Sequence, residues 1–397
     1  MILMFYLGWV TKPEWISNID ESPYHVIQEV NPANKEEYKI LKFNGAKIKK
    51  DFELVTRVKR LEDDENKIKV IEFNMEGKKY LGDVLDSIPF GILNKNRTGV
   101  GATTLEIEAK RNSIIVCPNK SLAYSKSKSR PDGLLQYVGS PIGDITSSTS
   151  PKDIEDYIDE INQKISDGED VYKKFLVVAD SLHKVYEVIA TKKKSLESYF
   201  LLVDEVDMIQ SDATYRPKLE DVIDYYLEHP TQSRCLVSAT LKGFSNPQLA
   251  GIDIIHAEFS SPKARNITSI TSSCPDITAA KQILSTTRDS SQKVMIAYNS
   301  ISCIKNIIEL LKQEGGDEIS GKIAVLCGMY GRKEVGEYYI ELKGNRLPKQ
   351  ITFITSAYFV GVDIDEDFHL ISVANTQKTQ SLLSIEKIFQ IAGRCRK

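Results

Sequence analysis

A chain of 397 residues, 41% hydrophobic and 27% charged, is too long for one ordinary core and reads as a soluble globular protein of two domains of about 150–200 residues each. Its formal net charge of −3 creates no global basic field, so bulk charge announces no polyanionic partner and leaves only a local basic groove open. Six cysteines (Cys117, Cys235, Cys274, Cys303, Cys327 and Cys395) form no CxxC pair and do not cluster with the five histidines, which argues against a zinc site or disulfide framework and fits a reducing compartment.

The first residues, MILMFYLGWV, are apolar but lack a basic segment and a small-residue cleavage site, so no signal peptide is expected. No apolar run is long enough to span a bilayer, and a cytoplasmic protein is expected. Residues 1–87 read as a polar N-terminal accessory region, charge-rich over 47–59 and 61–69, with strand-like alternation in IKVIEF (68–73).

From residue 88 the pattern changes. SIIVCP (113–118), FLVVAD (175–180), FLLVDE (200–205) and RCLVSAT (234–240) are short apolar runs separated by amphipathic stretches. Such runs are the mark of buried parallel strands with crossover helices. Ser129 to Ser150, rich in Ser, Pro, Gly and Asp, predicts a loop. A second set follows: KVMIAY (293–298), KIAVLC (322–327), ITFITSAY (351–358) and HLISVAN (369–375). The polar, proline-bearing stretch at 260–276 is the expected linker between two α/β lobes, 88–262 and 275–397.

FGILNKNRTGVGATT (90–104) has the order of a phosphate-binding loop: an apolar run, a glycine-containing turn, then the helix-compatible LEIEAK. Gly99 and Gly101 let backbone N–H groups approach phosphate oxygens, and the helix start adds a favourable dipole. Thr103 stands where a hydroxyl would ligate Mg²⁺. The usual first glycine is Asn96, and Ala102 replaces the lysine that grips the β- and γ-phosphates. Lys95 and Arg97, just upstream, are the candidates to supply that charge from another direction.

LLVDEVDMI (201–209) delivers Asp204 and Glu205 at the end of an apolar strand, one suited to hold Mg²⁺ and the other to orient and deprotonate water, with Asp207 completing DExD. RCLVSATLKG (234–243) places Ser238-Ala239-Thr240 one βα unit later. QIAGRCRK (390–397) carries Gln390, Arg394 and Arg396, and guanidinium groups fork onto phosphate oxygens. Taken singly, each motif is matched by a bland alternative: a strand-turn-helix corner, an acidic turn, a chance triplet, a basic helix end.

In order, the phosphate loop, DEVD, SAT and QxxGRxR resemble the superfamily 2 helicases of the DEAD-like group, and the tail resembles the viral origin-binding type. PNKSLAYSK (118–126), KVMIAYNSI (293–301) and TSAYFVGVDI (355–364) resemble motifs Ia, IV and V of that family, so the resemblance covers about residues 88–397. It implies a P-loop NTPase fold of two tandem RecA-like lobes with parallel sheets, binding ATP and Mg²⁺ in the cleft between them. Residues 99–104 (Gly99, Val100, Gly101, Ala102, Thr103, Thr104) with Lys95 would then hold phosphate, and Thr103 and Asp204 the Mg²⁺. Glu205 would be the general base and Ser238 and Thr240 would couple hydrolysis to lobe movement. Gly361 and Asp363 would sense nucleotide and nucleic acid, and Gln390, Arg394 and Arg396 would serve the γ-phosphate.

The implied activity is an ATP-dependent helicase or translocase on single-stranded or forked nucleic acid, DNA favoured, with Lys120 and Ser121 as candidate strand contacts. Replication proteins of a phage or mobile element, in a bacterial host, are the implied setting. A helicase-like scaffold that binds strands without hydrolysis is the alternative that Ala102 raises, and an NTPase working on something other than nucleic acid is a third. Lys397 follows Arg396 at once, so the second lobe is expected to continue past this chain.

Overall fold

The computed structural model describes residues 24–30, 37–47, 56–61 and 68–393, apart from 76, 131, 193–194, 214–215, 242–243, 245, 250–251, 253, 260–266, 288–290 and 360–363. The chain divides into two compact units, residues 1–118 with 130–262, and residues 119–129 with 263–397.

In the first unit, β1 (Tyr24–Val30), β2 (Glu37–Phe43) and β3 (Ala46–Lys47) form a small antiparallel sheet. Asn44 (φ 41°) and Gly45 (φ 81°) make the two-residue turn between β2 and β3, a pair of positive φ angles that Asn-Gly adopts at low cost. The remaining strands are β4 (Thr56–Leu61), β5 (Ile68–Asn74), β6 (Gly91–Asn94), β7 (Ser113–Cys117), β8 (Leu135–Val138), β9 (Lys174–Val178), β10 (Phe200–Asp204), β11 (Arg234–Ser238) and β12 (Ile254–Glu258). They form one nine-stranded sheet in the order β4-β5-β12-β6-β11-β10-β7-β9-β8. β4 runs antiparallel to β5, and every other neighbouring pair is parallel. IKVIEF is thus β5, and it lies in the main sheet. LQYV at β8 corrects the expectation of a loop across 129–150: its β-branched and aromatic residues pair with β9 despite the turn formers around them.

Helices α1 (Ala102–Glu108), α3 (Pro151–Ser166), α4 (Leu182–Thr191), α5 (Val206–Asp212) and α6 (Glu220–Glu228) connect these strands, while α2 (Lys120–Ser127), which follows β7 in sequence, falls in the second unit. Helix α3 shows why the sequence stops and starts where it does. Ser150 caps it, Pro151 opens it, and the Asp153 carboxylate returns to the Ser150 N–H at 2.7 Å. Its buried stripe, Ile154, Tyr157, Ile158 and Ile161, has helical spacing and belongs to one core with Ile114, Val116, Phe175 and Val177 of the sheet. Truncating a buried residue there, such as Ile161 to alanine, costs about 2–5 kcal/mol.

The second unit holds β13 (Lys293–Ala297), β14 (Ile323–Leu326), β15 (Ile351–Ile354) and β16 (Phe368–Ser372) in the parallel order β14-β15-β13-β16. It also holds α7 (Pro275–Thr287), α8 (Ile301–Gly315), α9 (Met329–Val335) and α10 (Ile385–Ala392). Ser300 caps α8, whose buried face (Cys303, Ile304, Ile307, Ile308, Leu311) packs with Val294, Ile296 and Phe353. Two α/β units, each built on a largely parallel sheet, are the fold class that the alternating apolar runs predict.

Candidate active site

The site is built at the carboxyl ends of three adjacent strands of the nine-stranded sheet, β6, β11 and β10. Lys95 follows β6, and its N–H donates to the Ser238 carbonyl at 2.8 Å, extending the β6–β11 pairing by one bond. Beyond it the chain turns sharply. The Asn96 N–H donates to Asn94 Oδ1 at 3.0 Å, and Asn96 itself takes φ 48°, a conformation asparagine tolerates better than most residues. The Asn96 amide also reaches the Ala257 carbonyl at 3.4 Å, tying the loop to β12.

Gly99 (φ 72°) and Gly101 (φ 81°) complete the turn in the left-handed region, where a Cβ is strained. Between them Val100 is buried, and its carbonyl accepts from the Leu81 N–H at 2.9 Å. Gly101 caps α1, and Ala102 is the first helical residue, 3% exposed.

Four polar side chains converge behind this loop. Lys95 Nζ lies 3.1 Å from Asp204 Oδ1 and 3.0 Å from Glu205 Oε1. The Thr103 hydroxyl donates to the other Asp204 oxygen, Oδ2, at 2.5 Å. All four residues are buried: Lys95 4%, Thr103 7%, Asp204 2% and Glu205 6% exposed. Arg97, the other candidate for the missing charge, lies apart, with its guanidinium 5.9 Å from the Phe259 ring centroid.

Burial penalises the Lys95 ammonium, but the carboxylates of Asp204 and Glu205 more than offset it and hold the pKa above the ordinary lysine value. Burial likewise raises the Glu205 carboxyl. Lys95 opposes that rise, while Asp204 and Asp207 reinforce it. Glu205 also sits at φ 51° as the cap of α5. A non-glycine residue held there stores about 1–3 kcal/mol of strain, a feature that clusters at functional sites.

The neighbouring strand carries a second polar group. Ser238 Oγ donates to Asp207 Oδ1 at 2.7 Å, and Thr240 Oγ1 donates to Asp207 Oδ2 at 2.5 Å. The Thr240 N–H closes the set on Ser238 Oγ at 3.0 Å. Asp207 is therefore the residue joining DEVD to SAT. Both motifs are visible in the sequence, but that the last acid of one accepts both hydroxyls of the other appears only in the fold.

Sequence reading missed a buried charge network at the far end of α1. Lys174 Nζ donates to the carbonyls of Glu106 (2.6 Å) and Ala109 (2.8 Å), which close the helix, and to Ser113 Oγ (2.9 Å). The fully buried Glu106 carboxylate accepts from Ser113 Oγ at 2.6 Å and from Arg111, whose guanidinium stacks over Phe200 at 3.4 Å. Burial pulls the Lys174 ammonium down to about 8, opposed by Glu106 and aided by Arg111 and Arg130. A lysine at the first position of an otherwise apolar run, KFLVV, was the signal available for it.

Of the remaining candidates, Thr104 lies in the first turn of α1, Lys120 and Ser121 open α2 behind the cap Asn119, and Gln390 is buried on α10 at 1% exposed. Gly361, Asp363, Arg394 and Arg396 lie outside the described residues. Among the described residues no group of three or more His, Cys, Asp and Glu side chains converges to cage a metal, and no helix is long and apolar enough to cross a membrane.

No protein-family model matches the chain, and no curated protein matches it by sequence. Among solved structures, S. cerevisiae Dbp5 bound to RNA and ADP BeF3 is 12% identical, covering 77% of this chain and 76% of that one, with a TM-score of 0.47. DEAD-box helicase Mss116 bound to ssRNA and UDP-BeF is 14% identical, covering 78% and 64%, with a TM-score of 0.45. Mycobacterium smegmatis helicase Lhr bound to ssDNA and AMP-PNP is 15% identical, covering 77% and 42%, with a TM-score of 0.43. Overlaps this loose carry no weight for the site, whose reading rests on the distances above.

Proposed function

We propose that the chain is an ATP hydrolase of the superfamily 2 helicase type, working on single-stranded or forked nucleic acid, with Lys95 taking the part of the lysine missing at position 102. The observation that carries the reading is the convergence of Lys95, Thr103, Asp204 and Glu205 behind a turn with glycines at 99 and 101. Hydroxyl and carboxylate oxygens are the hard donors that Mg²⁺ takes, and the Thr103 hydroxyl bonded to the Asp204 carboxylate supplies one of each. Thr103 and Asp204 would hold it, and when bound it neutralises charge on the phosphate oxygens.

Within this reading the backbone of residues 99–104 cradles phosphate, and the Lys95 ammonium leaves the acids to meet the β- and γ-phosphates. Glu205 orients a water and takes its proton, and a carboxyl raised above its ordinary value is the better base near neutral pH. Asp207 links that chemistry to Ser238 and Thr240, the coupling pair. Gln390, Arg394 and Arg396 are assigned to charge on the γ-phosphate, and Gly361 and Asp363 to sensing it, on the motifs alone. The tail's likeness to the origin-binding type favours DNA and a replication role in a bacterial or phage-infected cell.

Ala102, buried at the helix start, favours a second reading: a strand-binding scaffold without hydrolysis. Steady-state ATP hydrolysis with and without single-stranded DNA or RNA, beside Glu205→Gln, separates the two. Turnover that rises with the strand and vanishes in the variant supports the hydrolase. Strand binding with no turnover above the variant supports the scaffold.

A further inference from the structure

We infer that Lys95 is the resident counter-ion of the cation seat, so that the site admits a divalent cation only together with a nucleotide. The inference rests on the nucleotide reading above and adds a rule about the order of binding.

Both oxygens of Asp204 are engaged by groups of this chain. Oδ1 accepts from Lys95 Nζ at 3.1 Å and from the Glu205 N–H at 3.0 Å, while Oδ2 accepts from Thr103 Oγ1. The same ammonium lies 3.0 Å from Glu205 Oε1. One fixed positive charge therefore sits between the two acids that a cation would use. A divalent ion arriving alone meets that charge at close range in a buried site, where repulsion is weakly screened. It would also have to leave the ammonium buried with no acidic partner, which is costly.

A nucleotide changes the balance because its phosphate oxygens offer the ammonium a new partner. The lysine stem is flexible enough for that move. Its backbone need not follow, since the Lys95 N–H stays bonded to the Ser238 carbonyl of β11. A lysine at position 102 would instead ride on α1 beside Thr103. Moving the charge to the end of β6 places it on the strand pair that carries Ser238.

The test uses Mn²⁺ alone, with bound ion counted from the loss of the free Mn²⁺ resonance, on the full chain without nucleotide. Lys95→Met should bind one ion at least about tenfold more tightly than the native protein, a difference of about 1.4 kcal/mol. Adding Asp204→Asn to Lys95→Met should abolish that binding. If Lys95→Met does not fold, Lys95→Gln, which keeps a donor beside the acids, takes its place. Native protein that binds Mn²⁺ alone as tightly as the variant overturns the inference, and so does a folded variant that binds none. A native chain that binds neither ATP nor Mn²⁺ when both are present overturns the nucleotide reading instead.

Discussion

Lys95 Nζ lies 3.0 Å from Glu205 Oε1, although the strands that deliver the two residues, β6 and β10, are not neighbours. β11 runs between them, and the lysine stem crosses its end. A long cationic side chain at the end of one strand can thus reach acids delivered by a strand two places away. Under the proposed function, the lysine at 95 would stand in for the one missing at 102.

The Asp207 bridge should be energetically coupled. Asp207→Ala leaves the fully buried Ser238 hydroxyl without its acceptor, which costs about 1–3 kcal/mol. A double-mutant cycle of Asp207→Ala with Ser238→Ala, read by urea unfolding, should give an interaction energy of about 0.5–3 kcal/mol. Strict additivity would mean that the contact is incidental.

Two glycines outside the site should respond differently to alanine. A Cβ at Gly139 would collide with Tyr137 Oη and lie 2.6 Å from Val178 Cγ2, so one of those side chains must shift. Gly139→Ala should cost about 1–3 kcal/mol by overpacking. Gly133 (φ +70°) has nothing within 4 Å, so Gly133→Ala carries only backbone strain of about 1–2 kcal/mol. Gly139→Ala should also lower the urea m-value if repacking loosens the strand pair, and Gly133→Ala should leave it unchanged.

Lys174 predicts an alkaline rise in stability. Its ammonium titrates near 8 in the folded protein against 10.5 for a free lysine. Between those values the unfolded chain holds more protons, so stability increases with pH, by at most about 1.4 kcal/mol per pH unit. The contribution is complete above the free value and is lost as pH falls through 8. Unfolding midpoints of native protein and Lys174→Met, compared from pH 7 to 11, should show the native protein gaining on the variant across that window. A constant difference would mean that Lys174 titrates normally.

Much of this architecture was legible in the chain. Runs such as SIIVC and FLLVD are β-branched and aliphatic throughout, and a fully buried parallel strand asks for nothing more specific. The acids of the site were legible for the same reason: strand ends point the residues that follow them into one place. Three things were not legible. LQYV hides among turn formers, and only its pairing with β9 reveals it. The choice between Lys95 and Arg97, which flank the positive-φ Asn96, depends on which side chain reaches the acids, and only the fold shows that it is Lys95. The Glu106–Arg111–Lys174 network joins residues about 65 positions apart, and nothing local marks them as partners.

The most direct measurement is steady-state ATP hydrolysis by Lys95→Ala and Arg97→Ala beside the native chain. Removing the ammonium that faces the acids should lower turnover by at least about 100-fold, and removing the Arg97 guanidinium, which lies by Phe259, should leave it within about threefold. A Lys95→Ala protein that hydrolyses ATP at the native rate would contradict the account, because the charge missing at Ala102 would then have no substitute at Lys95.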